Sequence, residues 1–271
     1  MSKRNVAISV TAVCAMLIIL YELVLSKLIC SSLDGVICRL VDMTVTRALG
    51  AAIFIAMLAY LGYKVLNPIK APFFTSIAFC LPAFAVAINN FPFSCIINGK
   101  ANVDLIYGKV ILLLAECLAV ALFEEFAFRG VVLLGFAEKR RDSRKGLFIA
   151  IVLSSAVFGA VHMLNIFTSS PIAVFMQIGY SFLIGGMCSV VLLKTANIWL
   201  CVVIHATFNF CGAIVPTFGV GEIWDSFTVI LTAIIAVLTF VYMLVSFLRL
   251  DVEEIERIYV KEPKGEVNER N

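Results

Sequence analysis

Glu124, Glu125 and Arg129 lie inside an apolar run that extends from about residue 110 to residue 136. Two carboxylates and a guanidinium thus fall where a lipid-spanning helix ordinarily carries none. Each costs roughly 2.5 kcal/mol or more at the bilayer centre on insertion scales. Such groups persist in membrane segments where they face a polar site between helices. Helical spacing sorts the three. Glu125 and Arg129 are four apart, so they share a face and can form an ion pair of structural character, because arginine stays protonated. Glu124 points about 100° away from Glu125. It has no cation on its own stretch, so its partner must come from another segment.

The chain contains two histidines, His162 and His205, and both sit in apolar stretches. His205 and Asn209 are four apart and project from one helical face. Taken singly, each histidine reads as a hydrogen-bonded packing residue. Taken together, Glu124, His162, His205 and Asn209 come from three apolar stretches that can face one cavity. Depth agrees. Glu124 lies 18 residues before Asp142, the middle of a basic loop, and His162 lies 20 after it. In an antiparallel hairpin the two reach similar depth, about 25 Å or more from the loop tip at 1.5 Å per residue. Glu116, eight residues before Glu124, shares its face and reads as an interfacial charge or as the rim of the cavity.

These side chains are equipment for hydrolysing an amide. A buried glutamate suits a general base, and a neighbouring imidazole can share the proton of an activated water. His205 and Asn209 can donate to a developing oxyanion. A second chemistry uses the same atoms. Glu124, His162 and His205 match the three protein ligands of a hydrolytic zinc site, although no HExxH is present and the site must be assembled from separate helices. Intramembrane glutamate and histidine also serve as proton relays in transporters, but no inverted repeat or pair of broken helices accompanies them.

The elements that must position these residues follow from composition. The chain has 271 residues, is 62% hydrophobic and only 14% charged, which places it among polytopic membrane proteins. The net charge of +3 is too slight to suggest a nucleic-acid partner. The reading is an all-α membrane bundle of about eight transmembrane helices, near residues 6–30, 45–66, 73–89, 110–136, 147–164, 172–193, 198–215 and 227–248. The first is too long for a cleaved signal sequence. Pro68, Pro72, Pro82, Pro92, Pro171 and Pro216 are expected at loops or helix ends. Basic residues cluster in Lys139-Arg140-Arg141-Asp142-Ser143-Arg144-Lys145, which predicts cytoplasmic N- and C-termini by the positive-inside rule. The whole is one membrane domain, 1–271, ending in a charged, solvated cytoplasmic tail, 249–271. Cys14, Cys80, Cys117, Cys188, Cys201 and Cys211 read as packing residues. Cys30 and Cys38 flank a short loop and can pair if that loop is exported.

Glu124-Glu125-x-x-x-Arg129, Phe158-x-x-x-His162 and His205-x-x-x-Asn209 resemble, in order and spacing, the three motifs of the CPBP intramembrane protease family. That family includes type II CAAX prenyl endopeptidases and bacterial Abi and bacteriocin self-immunity proteins. The resemblance covers about residues 107–213. It implies an eight-helix cell-membrane protein that cleaves a membrane-associated peptide or protein, with Glu124 and His162 activating water. His205 and Asn209 would then hold the oxyanion, and Glu125, Arg129 and Phe158 would support the site. It implies either a zinc ion on Glu124, His162 and His205 or a metal-free glutamate mechanism. It also leaves open a non-catalytic immunity or binding role. Nothing in the residues bears on oligomeric state.

Overall fold

The computed structural model describes residues 34–67, 73–104, 106–167 and 169–259, together with Ser9 and Val13. The anticipated first span, 6–30, lies outside the described residues. Helix α1 is Gly35–Leu61, α2 is Phe73–Asn89 and α3 is the short Phe93–Ile97. Strand β1, Ala101–Val103, precedes α4, Tyr107–Glu124, which runs on without a break through a π-helix, Glu125–Leu133, into α5, Leu134–Glu138. Helix α6, Arg144–Val161, ends in a 3-10 turn, His162–Phe167. Then come α7, Pro171–Thr195, α8, Ile198–Phe218, strand β2, Gly219–Gly221, α9, Ser226–Leu248, and a last 3-10 turn, Glu253–Ile258.

The helix starts are written locally. Ser143, Ser170, Asn197 and Asp225 each accept a hydrogen bond from a first-turn amide of the helix that follows. Pro171 opens α7 at a position where its missing N–H costs nothing. Helix α1 stops at Gly62, whose φ of 78° is the left-handed conformation that glycine accepts most readily. Pro82, anticipated at an element end, instead sits inside α2, and Pro216 lies within the last turn of α8. Membrane helices tolerate an interior proline when neighbours satisfy the freed carbonyls. Separately, the Pro82 carbonyl accepts from Thr239 of α9 at 3.3 Å, which ties α2 to α9.

The architecture is an all-α membrane bundle with one minor exception. Strands β1 and β2 pair antiparallel, with Ala101 opposite Gly221 and Val103 opposite Gly219, and cap one end. Five segments are long and apolar enough to cross a bilayer: α1, α6 with its 3-10 extension, α7, α8 and α9. Helix α2 has 17 residues, and α4 carries Lys109, Glu116 and Glu124, so neither qualifies by length and composition. The anticipated count of eight is therefore matched only in part. Helix α1 also starts ten residues before the anticipated span. Arg39 interrupts that apolar run in sequence, but in the fold it pairs with Glu116 of α4 at 3.1 Å, alongside Lys109 with Asp34 at 3.5 Å. These cross-links set α1 and α4 side by side, N-termini together, and give Glu116 a structural partner. Cys38, at this end, is disulfide-bonded; its anticipated partner Cys30 lies outside the described residues.

The opposite end carries the basic loop, and here the segment after α9 departs from a solvated tail. Ile255 and Ile258 are fully buried, and Tyr259 donates to the Leu134 carbonyl at 3.0 Å. Lys64 N donates to Ile258 O at 2.7 Å, and Arg257 to Lys194 O at 2.5 Å. Two isoleucines and a tyrosine at helical spacing provide an apolar face that the surrounding charges obscure in sequence.

Candidate active site

The site is built where the α4 helix widens. Glu124 is the last α-helical residue, and Glu125 opens a nine-residue π-helix. Such segments often mark functional sites, because the i→i+5 bonding re-aims the side chains around them. Gly130 sits in this stretch against Leu58 of α1, where a Cβ would collide with the leucine methyls. Close approach at Gly130 thus holds the widened turn against α1.

Glu125 is fully buried, and one carboxylate oxygen lies 3.1 Å from Arg129 Nε. Its other oxygen lies 2.7 Å from His205 Nδ1 on α8. Since the carboxylate paired with Arg129 only accepts, Nδ1 donates, and the opposite ring nitrogen is aimed at Glu124. That second contact, His205 Nε2 to Glu124 Oε2, is 3.5 Å. At that separation the ring nitrogen and the carboxylate are near neighbours rather than a tight hydrogen-bonded pair. The partner that Glu124 lacks on its own helix is therefore His205. Glu124 is also the accessible member of the cluster, its side chain 18% exposed against 0% for Glu125.

Phe158, on α6 and 2% exposed, organises the other half. The Arg129 guanidinium, itself buried, lies 4.2 Å from the centre of the Phe158 ring, a cation–π contact of the desolvated kind that is strongest. The same ring is 5.1 Å from that of His162 and 5.9 Å from that of His205. His162 Nδ1 is 2.8 Å from the Phe158 carbonyl, one turn back. A carbonyl only accepts, so Nδ1 carries the hydrogen and Nε2 keeps its lone pair. Among the described residues no ion pair joins His162 to Glu124; the two are brought together through Phe158 and His205 rather than by direct contact. Asn209 lies one turn beyond His205 on α8, half-buried.

Two features were not signalled by the motifs. Tyr180, on α7, lies close enough to Glu124 to feel its charge and hydrogen-bonds with Gln177, which in turn accepts from Asn165 at 2.8 Å. Gly185, also on α7, faces Arg129, Phe158 and Ser155, each 3.2–3.3 Å from where a Cβ would stand. Outside the cluster, an apolar groove of about 570 Å³ opens between α6 and α7, lined by Gly159, Ala160, Met163, Ile178, Gly179 and Phe182 among others. It borders the turn that carries Phe158 and His162.

As ligands for zinc, Glu124, His162 and His205 do not fit as placed. Their engaged Nδ1 atoms leave each histidine Nε2 free for a metal, but ligand atoms of the three do not gather within 4.8 Å of one another. The group of His, Cys, Asp and Glu ligand atoms within 4.8 Å of one another, among the described residues, is Glu125, Cys188 and Cys201. There Glu125 is committed to His205 and Arg129, and the Cys201 thiol donates to the Cys188 carbonyl at 3.2 Å. Those cysteines pack, as anticipated.

Residues 106–211 match the family described as type II CAAX prenyl endopeptidase Rce1-like. The match covers a little under two fifths of the chain and contains every residue of the three motifs. It bears out the resemblance to the CPBP protease family. No curated protein and no solved structure matches the chain.

Proposed function

We infer that this multi-pass membrane protein, whose matched segment carries Glu124, His162 and His205, is an intramembrane endopeptidase acting on a membrane-associated peptide or protein. The observation that carries the reading is the double engagement of His205 by Glu124 and Glu125, with Arg129 fixing the second carboxylate from behind. In this mechanism Glu124 takes a proton from water as the water oxygen bonds to the scissile carbonyl carbon. The free Nε2 of His162 accepts from the same water and holds it in line. Negative charge develops on the carbonyl oxygen, where His205 Nε2–H and the Asn209 amide donate. Collapse of the tetrahedral species breaks the C–N bond, and the proton held by Glu124 passes to the departing amine. Glu125 and Arg129 touch no reacting atom; they fix the ring of His205.

Supporting a metal-free course is the separation of the three candidate ligands Glu124, His162 and His205, whose ligand atoms do not gather within 4.8 Å of one another. The groove between α6 and α7 supports entry of substrate from the lipid. The disulfide at Cys38, remote from the basic loop, supports a cytoplasmic basic loop, since disulfides persist in oxidising compartments. The deciding experiment is cleavage of membrane-anchored peptides, prenylated and unprenylated, by the purified chain with and without chelator. Activity that survives metal removal and is lost in Glu124→Gln is the expected result. Cleavage by Glu124→Gln at the wild-type rate ends the peptidase reading, and activity restored only by zinc ends the metal-free course.

A further inference from the structure

At the end of the bundle that bears the basic loop, an open groove of about 290 Å³ separates the start of α6 from the end of α9. It is lined by Arg144, Lys145, Phe148, Leu244, Phe247 and Leu248. The rings of Phe148 and Phe247 stand 6.0 Å apart and bridge the two helices. Phe247 is buried, while Phe148, Leu244 and Leu248 stay open to the surroundings.

Charge and apolar surface meet in this groove. Three other cations of this end are neutralised, Arg141 by Glu256 and Lys194 and Arg257 by Glu254, and Arg140 donates to the Phe136 carbonyl on its own stretch. Among the described residues no carboxylate pairs with Arg144 or Lys145, and Arg144 donates to the Leu250 carbonyl at 3.3 Å. Asp251, nearby in sequence, caps the turn at Glu253. The two cations also occupy the first turn of α6, where the helix dipole favours anions and disfavours cations. Ser143 caps the Gly146 amide, which leaves the amides of Arg144 and Lys145 without an intrahelical acceptor. Two uncompensated cations, free amides and an apolar wall one turn deeper together describe a phosphate joined to a hydrocarbon chain.

We propose that this groove binds one anionic phospholipid, its phosphate against Arg144, Lys145 and the first turn of α6, and one acyl chain along Phe148, Leu244 and Leu248. A free phosphate leaves the apolar wall uncovered, and an uncharged lipid leaves the cations uncompensated.

Native mass spectrometry of the full chain, in neutral detergent with phosphatidylglycerol or phosphatidylcholine of identical chains, reads the site directly. Wild type retains phosphatidylglycerol preferentially. Arg144→Gln with Lys145→Gln lowers that preference about thirty-fold, as expected for two basic residues. Lys139→Gln, outside the groove, leaves it intact. Leu248→Trp, which fills the groove and spares both cations, lowers retention of phosphatidylglycerol as well; it also decides the matter if the double variant does not accumulate. Equal retention of the two lipids by wild type, an unchanged preference in the double variant, or full retention by Leu248→Trp overturns the assignment.

Discussion

Arg129 is the residue whose loss reaches furthest, because it compensates Glu125 where both side chains are buried. Removing one partner of a buried pair costs about 3–5 kcal/mol, since the other charge is left stranded. Arg129→Met is therefore expected to lower the thermal unfolding midpoint in detergent more than Glu125→Gln with Arg129→Met, in which neither charge remains. Both should lose activity, since each frees the ring of His205. Glu124→Gln differs in kind. The accessible carboxylate does not hold the bundle together, so this variant should insert and melt like wild type while cleavage falls by about 10² to 10⁴-fold, the range of a lost general base. An assay of peptide termini beside a melting curve separates the two behaviours. At this scale much was legible: the unusual polar residues of the apolar stretches named Glu124, Glu125, Arg129, His162 and His205. The pairing was not. Spacing along one helix finds Arg129 for Glu125, but no spacing reveals that His205 lies between both glutamates, because that depends on how α8 meets α4.

Elements transmit such contacts through their closest approaches. Gly159 of α6 faces the Ile178 carbonyl of α7, 3.0 Å from where a Cβ would stand, and backbone cannot move aside as a side-chain tip can. Gly159→Val should push α6 from α7, shift the turn that bears Phe158 and His162, and reduce cleavage at least tenfold, with protein level in the membrane as the control. The helix starts behave differently. Asp225 caps α9 outside the span, and hydrogen bonds from Ser94 and from the amide and hydroxyl of Thr228 push its carboxyl down from 3.8 to about 2. With the folded value below the reference, this stabilisation is complete above about pH 3.8 and is lost as pH falls through about 2. The melting temperature should drop across that window, and Asp225→Asn should show a shallower drop. Helix positions were largely legible from apolar runs and prolines, but the π-helix was not. Glu125–Leu133 has the composition of an ordinary helix, and nothing local marks its widening, which lies where the segment packs against α1, α6 and α8.

For the whole molecule, the segment from Glu253 to Tyr259 decides how the basic end closes. Its charges concealed this in sequence, where it read as part of a solvated tail. In the fold it fastens the ends of α1, α5 and α7 through Ile258, Tyr259 and Arg257. Tyr259→Ala removes the buried ring and the hydrogen bond to Leu134, and is expected to make the basic loop cleavable by added protease while α8 and the active site stay protected. A temporal consequence follows from this fastening. The ribosome delivers the motif-bearing helices well before it delivers the residues that bind their ends. The nascent chain therefore threads its buried polar side chains into the bilayer while the bundle is still ajar, and the arrival of the turn at Glu253–Ile258 locks the assembly shut.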